Sequence, residues 1–227
     1  MPDFLFNIGP LPVYAFGVLL AISYLLGVFI FWRLGRREGF PSEGLFDIAL
    51  STSIVAVIGA RLLFLKFFGG YINFLDIFRM GEGVSWVGAL IFGFFAFAVF
   101  VRVKKWSFFR IADLVVLGMA FGQAGGFLAS EAARYIPFSI YLALGYLLLG
   151  FVLKFLHSRA APGVAFFAYL IVSGAFLAFL EYLRVDKAVW MGQNINYSFG
   201  AFLSTVGLVG LIAKTANLRF NRGGNGR

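Results

Sequence analysis

Apolar runs of about twenty residues, divided by short basic or glycine-rich breaks, set the pattern of this chain. Seven runs are legible: Val13 to Trp32, Leu45 to Phe67, Val84 to Val101, Ile111 to Leu128, Pro137 to Val152, Val164 to Leu183 and Tyr197 to Ala213. A helix needs roughly 20 apolar residues to cross the hydrocarbon core of a bilayer. A membrane barrel would instead show short strands of alternating character. The pattern predicts an all-α polytopic membrane protein with about seven transmembrane helices. No internal repeat or soluble insertion interrupts it, so residues 1–227 read as one integral membrane domain, with 213–227 as a basic, flexible tail. Residues 1–12 read as a short lead-in. Ile72, Leu75, Ile77 and Phe78 make an amphipathic piece suited to the membrane interface.

The breaks carry the orientation. Those after the first, third, fifth and seventh runs, together with the tail, hold thirteen of the nineteen Lys and Arg residues. The other six are Arg61, Lys66, Arg79, Arg134, Arg184 and Lys187. The positive-inside rule makes the richer side cytoplasmic, with the N-terminus outside and the C-terminus inside. Trp32, Trp106 and Trp190 fall near run ends, as an aromatic belt requires.

Composition then narrows the chemistry. Of 227 residues, 61% are hydrophobic, a level that excludes an ordinary soluble domain. There is no Cys, hence no thiol nucleophile and no thiolate metal site, and the single His157 excludes a histidine-rich metal cluster. The sequence calls for no cofactor and no metal. The net charge of +9 follows membrane orientation rather than nucleic-acid binding.

The charges that topology leaves unexplained lie in or near the outer half of the membrane. The stretch Gly118 to Tyr135, GMAFGQAGGFLASEAARY, begins as a glycine-studded helix and ends in Glu131 and Arg134. Gly118, Gly122 and Gly126 share one helix face. They mark either a close packing face or a helix that breaks at a ligand site. Arg61 sits within the second run, where a charge needs a partner, a polar cavity or a route to the interface. Glu181 and Arg184 lie three apart at the outer end of the sixth run, and Gln193 and Asn194 open the seventh. Asp47 and Asp113, near the cytoplasmic ends, read as helix-start or interfacial residues. Arginines facing a membrane cavity suit an anionic headgroup, because a guanidinium grips phosphate through a planar fork. A carboxylate nearby suits proton transfer. A shared site requires Arg61, Glu131 and Arg184 to converge.

Six segments, taken in order, resemble the prolipoprotein diacylglyceryl transferase family. IGPLPVYAFGVLLA resembles the family's opening, and VIGARLLFL its Gly-Ala-Arg-Leu segment. SWVGALIFG resembles the span-three Ser-Phe-His-Gly-Gly-Leu-Ile-Gly. FGQAGGFLASE resembles the signature Gly-Arg-x-Gly-Asn-Phe-x-Asn-x-Glu. FLEYLR resembles the Phe-x-x-Glu-x-x-Arg that ends span six, and MGQNINYSFGAFLSTVG the Met-Gly-Gln-x-x-Ser start of span seven. The resemblance implies a multi-pass enzyme of the bacterial inner membrane. Such an enzyme moves diacylglyceryl from phosphatidylglycerol to the lipobox cysteine of a prolipoprotein. Its partners would be phosphatidylglycerol, the prolipoprotein segment and membrane lipids. By resemblance the catalytic positions are Glu131, Arg184 and Gln123. The substrate-binding positions are Arg61, Arg134, Glu181, Gly122, Gly125, Gly126 and Gln193.

The chain departs from the family pattern at several of these positions. Gln123 replaces the signature arginine, Gly126 and Ala129 its two asparagines, and Val87 the span-three histidine. Arg134 is placed to restore the missing positive charge. A non-catalytic lipid- or lipoprotein-binding relative on the same fold stays open beside the enzyme. A small-solute transporter is a third reading, since embedded charge is expected there too.

Overall fold

The computed structural model describes the backbone of residues 4–8, 11–68, 83–132, 138–183, 189–190 and 193–224. Seven helices follow the seven apolar runs: α1 (Ala15–Arg37), α2 (Ser42–Phe68), α3 (Trp86–Val103), α4 (Phe108–Ala132), α5 (Ser139–Arg159), α6 (Val164–Leu183) and α7 (Ile195–Gly224). All seven are long and apolar enough to cross a membrane. Several run past the apolar windows that predict them. Arg33, Arg36 and Arg37 extend α1, because arginine is a good helix former whose stem lies along apolar surface while its head reaches water. The proposed interfacial residues Ile72, Leu75, Ile77 and Phe78 lie outside the described residues.

Two short hairpins supplement the helices. β1 (Phe4–Ile8) pairs antiparallel with β2 (Leu11–Tyr14), with a register irregularity between Phe4 and Phe6. The opening residues are thus not the plain lead-in that their mixed pattern suggests. β3 (Val189–Trp190) pairs with β4 (Gln193–Asn194) just before α7. The expected tail differs as well. Its backbone stays helical to Gly224, because no proline and no glycine intervenes between Gly210 and Gly223.

The helices pack chiefly as α1 with α4, α2 with α3, α4 with α5, and α6 with α7. Helix α4 is the most deeply buried span. It joins two apolar clusters, one around Leu117, Tyr146, Leu153 and Tyr169, the other around Phe31, Leu45, Ile48 and Ile111. The glycines of α4 set its distance from α1. A Cβ on Gly118 would lie 2.5 Å from the Gly27 carbonyl oxygen, and one on Gly125 2.6 Å from Ser23 Oγ. On Gly122 it would lie 3.3 Å from the Ser23 carbonyl oxygen. The packing reading of this face therefore holds. The alternative, a helix that breaks at a ligand site, does not: α4 is continuous from Phe108 to Ala132. Backbone contact with α1 offsets the low helix propensity of its glycines.

Buried carboxylates and turns fix the end of the bundle where the basic breaks lie. Asp113 of α4 is almost wholly buried and accepts hydrogen bonds from the backbone N–H groups of Gly163 and Phe166, both at 2.7 Å. It therefore caps the start of a different helix, α6, rather than its own. Gly39 (φ +87°) ends α1, with Gly39 N–H donating to Arg36 O and Phe40 N–H to Gly35 O, a Schellman closure. Asp47 keeps the interfacial place expected of it, 3.4 Å from Lys104 Nζ.

Candidate functional site

Arg61 anchors the outer half of the bundle from α2. Its side chain is completely buried. Nη1 donates to the Gly83 carbonyl at 2.8 Å, and the guanidinium lies 5.4 Å from the centre of the Phe64 ring. A buried charge of this kind is tolerable only with such partners. The segment that supplies Gly83 is itself held. Ser85 N–H donates to Ala60 O at 3.0 Å, and Ser85 Oγ caps α3 by accepting from Gly88 N–H at 3.2 Å. A Cβ on Gly88 would lie 2.6 Å from the Gly59 carbonyl oxygen, so α2 and α3 cross almost backbone to backbone. Two of the six family-like segments, VIGARLLFL and SWVGALIFG, thus meet around Arg61.

Glu181 sits on α6 and is 2% exposed. Its Oε2 accepts from Asn196 Nδ2 at 3.1 Å, which brings the FLEYLR segment against the start of α7. Gln123 faces α6 from α4: its Oε1 accepts the Tyr169 hydroxyl at 2.7 Å. Tyr169 is buried among the rings and helices of the core that includes Tyr146, which stacks on Phe127 at 5.5 Å and meets Phe176 edge-on at 5.2 Å. At about 1.5 Å per residue, Gln123 lies about 22 Å along α4 from Phe108, Glu181 about 26 Å along α6 from Val164, and Arg61 about 28 Å along α2 from Ser42. The three therefore stand at comparable distances from the N-terminal ends of their helices.

Glu131 occupies a different kind of place. It is exposed, and its Oε2 accepts from Ile140 N–H at 3.2 Å. The residue before α5, Phe138, has φ +62° and offers no side-chain cap, so the carboxylate from the end of α4 satisfies an amide at the start of α5. Among the glycines, Gly122 and Gly125 face α1, whereas a Cβ on Gly126 would meet only Leu20, at 3.6 Å. The backbone of Gln193 lies in β4, opposite Trp190. Arg134 and Arg184 lie outside the described residues. Among the described residues no group of His, Asp and Glu side chains is arranged to hold a metal.

Sequence reasoning missed two contributors, Tyr169 and Asn196. A tyrosine inside an apolar run is a polar handle that needs a partner when buried. Asn196, three residues past Gln193, carries the same signal.

Seven helices long and apolar enough to cross a membrane, with a fully buried arginine on α2 and a buried carboxylate on α6, define a polytopic membrane protein. The chain belongs to the prolipoprotein diacylglyceryl transferase family, whose profile matches residues 3–215. It is similar to the phosphatidylglycerol–prolipoprotein diacylglyceryl transferase of Bacillus cytotoxicus, at 26% identity over 92% of this chain and 90% of the relative. The enzyme of the same name from Oceanobacillus iheyensis is 28% identical over 86% of this chain and 73% of its own length. That of Thermosynechococcus vestitus is 31% identical over 56% of this chain and 51% of its own length.

Proposed function

We propose that this protein is a phosphatidylglycerol–prolipoprotein diacylglyceryl transferase of the bacterial inner membrane, built as a single membrane domain. The observation that carries the reading is the family match across nearly the whole chain, joined to a buried guanidinium on α2 inside one of the family-like segments. In the reaction, the lipobox thiol sulfur attacks the glycerol carbon that bears the phosphate. A C–S bond forms and the C–O bond to the phosphate breaks. Glycerol phosphate leaves with the electron pair, and the thiol proton passes to it, directly or through water.

The residues have parts consistent with that step. Arg61, with Arg184, takes the phosphate, whose leaving oxygen gains negative charge as the C–O bond breaks. Glu181, fixed by Asn196, supports the arginines from α6. Gln123 cannot supply the permanent charge of the signature arginine. Its amide presents donors instead, oriented because Tyr169 occupies its oxygen. Arg134 supplies a further cation by its sequence position, and Gln193 a further polar contact at the start of α7. Glu131 orders the outer rim where α4 hands over to α5. Gly122 and Gly125 hold α4 on α1, and Gly126 leaves room for lipid where the signature has asparagine.

The test is a transfer assay with purified protein, phosphatidylglycerol and a lipobox peptide, with a Cys→Ser peptide as control. The expected result is a diacylglyceryl mass increase on the Cys peptide and stoichiometric glycerol phosphate. A folded protein that retains phosphatidylglycerol but forms no product would overturn the enzymatic reading in favour of a lipid-binding relative. Solute flux in proteoliposomes without product would favour a transporter.

A further inference from the structure

A cleft of about 270 Å³ opens between α1 and α5, far along the bundle from Arg61 and Glu181, with α4 as its floor. Arg33 and Arg37 of α1 and Lys154 of α5 line it, over an apolar floor that includes Leu117 and Phe121 of α4. Arg33 and Arg37 are one helical turn apart and so share a face. All three cations lie at the cytoplasmic ends of their helices. Among the described residues none of the three forms an ion pair, and no carboxylate lines the cleft. The nearby carboxylates are engaged elsewhere. Glu38 accepts from His157 Nε2 at 2.5 Å and faces Arg110 Nη2 at 3.4 Å, while Asp113 caps α6.

The positive-inside rule explains why cations lie on this side. It does not explain why three of them converge on one cleft without a counter-charge. The floor adds the second half of a ligand's description. Phe121 is partly exposed, seated against Gly150 and edge-on to Phe151 at 5.5 Å, and the partly exposed Ile30 and Leu34 of α1 line the cleft beside it. These apolar residues adjoin the three cations in one cleft. A free anion would satisfy the mouth and leave the apolar floor uncovered. A neutral lipid would cover the floor and leave three cations unmatched. We infer that this cleft binds an anionic phospholipid of the cytoplasmic leaflet, its phosphate between Arg33, Arg37 and Lys154 and an acyl chain along Ile30, Leu34 and Phe121. It is a lipid site separate from the transfer site and independent of the reaction proposed above.

The test uses the full chain in phosphatidylcholine nanodiscs doped with phosphatidylglycerol that carries a photoreactive group on one acyl chain. Cross-links are localised by fragmentation mass spectrometry. Adducts are expected on α1 near Ile30 and Leu34 and on α4 near Phe121. They should fall at least about ten-fold in the triple variant Arg33→Gln/Arg37→Gln/Lys154→Gln, since each cation near an anionic lipid contributes a several-fold preference. Adducts on the outer halves of α4 and α6 should be unchanged, which separates this site from the transfer site. Equal labelling by a phosphatidylcholine probe, undiminished labelling in the triple variant, or displacement by millimolar inorganic phosphate would each overturn the inference. If the triple variant fails to run as a single species on gel filtration, the single exposed change Lys154→Glu is read by the same criteria.

Discussion

At the scale of single residues, the decisive contrast is between Arg61 and Glu131. Arg61 is enclosed by its own helix pair, with Gly83 O and the Phe64 ring as partners, so its removal is felt twice. Arg61→Ala should lower kcat/KM for transfer by about 10²–10³-fold, the size of one lost preorganised electrostatic contact. It should also cost about 1–3 kcal/mol of stability, because the partly buried Gly83 carbonyl loses its donor. Arg61→Lys keeps the charge and loses the fork, so its activity should fall between the two. Wild-type kcat/KM in Arg61→Ala would remove this residue from the phosphate site. Glu131 can be dissected more cleanly, because its cap needs an oxygen, whereas the proton transfer that its carboxylate suggests in the sequence needs a charge. Glu131→Gln retains an oxygen for Ile140 N–H and should melt within about 0.5 kcal/mol of wild type, whereas Glu131→Ala should lose about 1 kcal/mol, as cap removals do. Transfer should fall at least about ten-fold in both variants. Normal transfer in Glu131→Gln would leave Glu131 as a helix cap and nothing more.

At the scale of helices, the spacing of small residues decides where chains touch. The repeat of Gly118, Gly122 and Gly126 was legible, but not which of its members is indispensable. The distances separate them. Gly118→Ala puts a methyl 2.5 Å from a backbone oxygen of α1, which no rotamer change relieves, and should cost about 1–3 kcal/mol. Gly126→Ala meets only the Leu20 side chain at ordinary contact distance, so it should be neutral or stabilising by up to about 1 kcal/mol through helix propensity. Denaturant titration in mild detergent measures both, and equal destabilisation would refute the assignment of the α1 crossing to Gly118. Long apolar periodicity made the seven helices readable, since twenty uninterrupted apolar residues have few alternatives. The two hairpins were not readable, because β1 and β2 comprise nine residues, among them Pro12, and β3 and β4 have two residues each. Asp113 shows the same limit for function. Its acidic side chain near a helix start suggested a cap for α4, yet its amide partners lie fifty or more residues later, on α6. No local pattern carries information about a partner at that separation. The partners of Gln123 and Glu181 were hidden for the same reason, although the residues themselves stood out as polar positions in apolar runs.

At the scale of the whole molecule, the distribution of charge assigns opposite tasks to the two ends of one bundle. The end expected to face the cytoplasm carries most of the lysine and arginine and closes itself with carboxylates: Glu38 on His157 and Arg110, and Asp113 on α6. The outer end carries fewer charges: among those described, Arg61 and Glu181 are buried, Glu131 holds an amide at the start of α5, and Lys66 is exposed near the end of α2. A transferase acting on secreted prolipoproteins needs its polar site toward the outer leaflet, so the functional proposal depends on which way the bundle faces. The native chain has no cysteine, which makes the orientation directly measurable. Val84 is 56% exposed beside Arg61's partner Gly83, and Ser107 is exposed in the basic turn between α3 and α4. In intact spheroplasts a membrane-impermeant maleimide should label Val84→Cys and spare Ser107→Cys. After permeabilisation it should label both. The reverse pattern would place Arg61 and Glu181 toward the cytoplasm, where the thiol of a translocated lipobox cannot reach them. It would then sink the transferase proposal for this site even if the seven-helix fold stood unchanged.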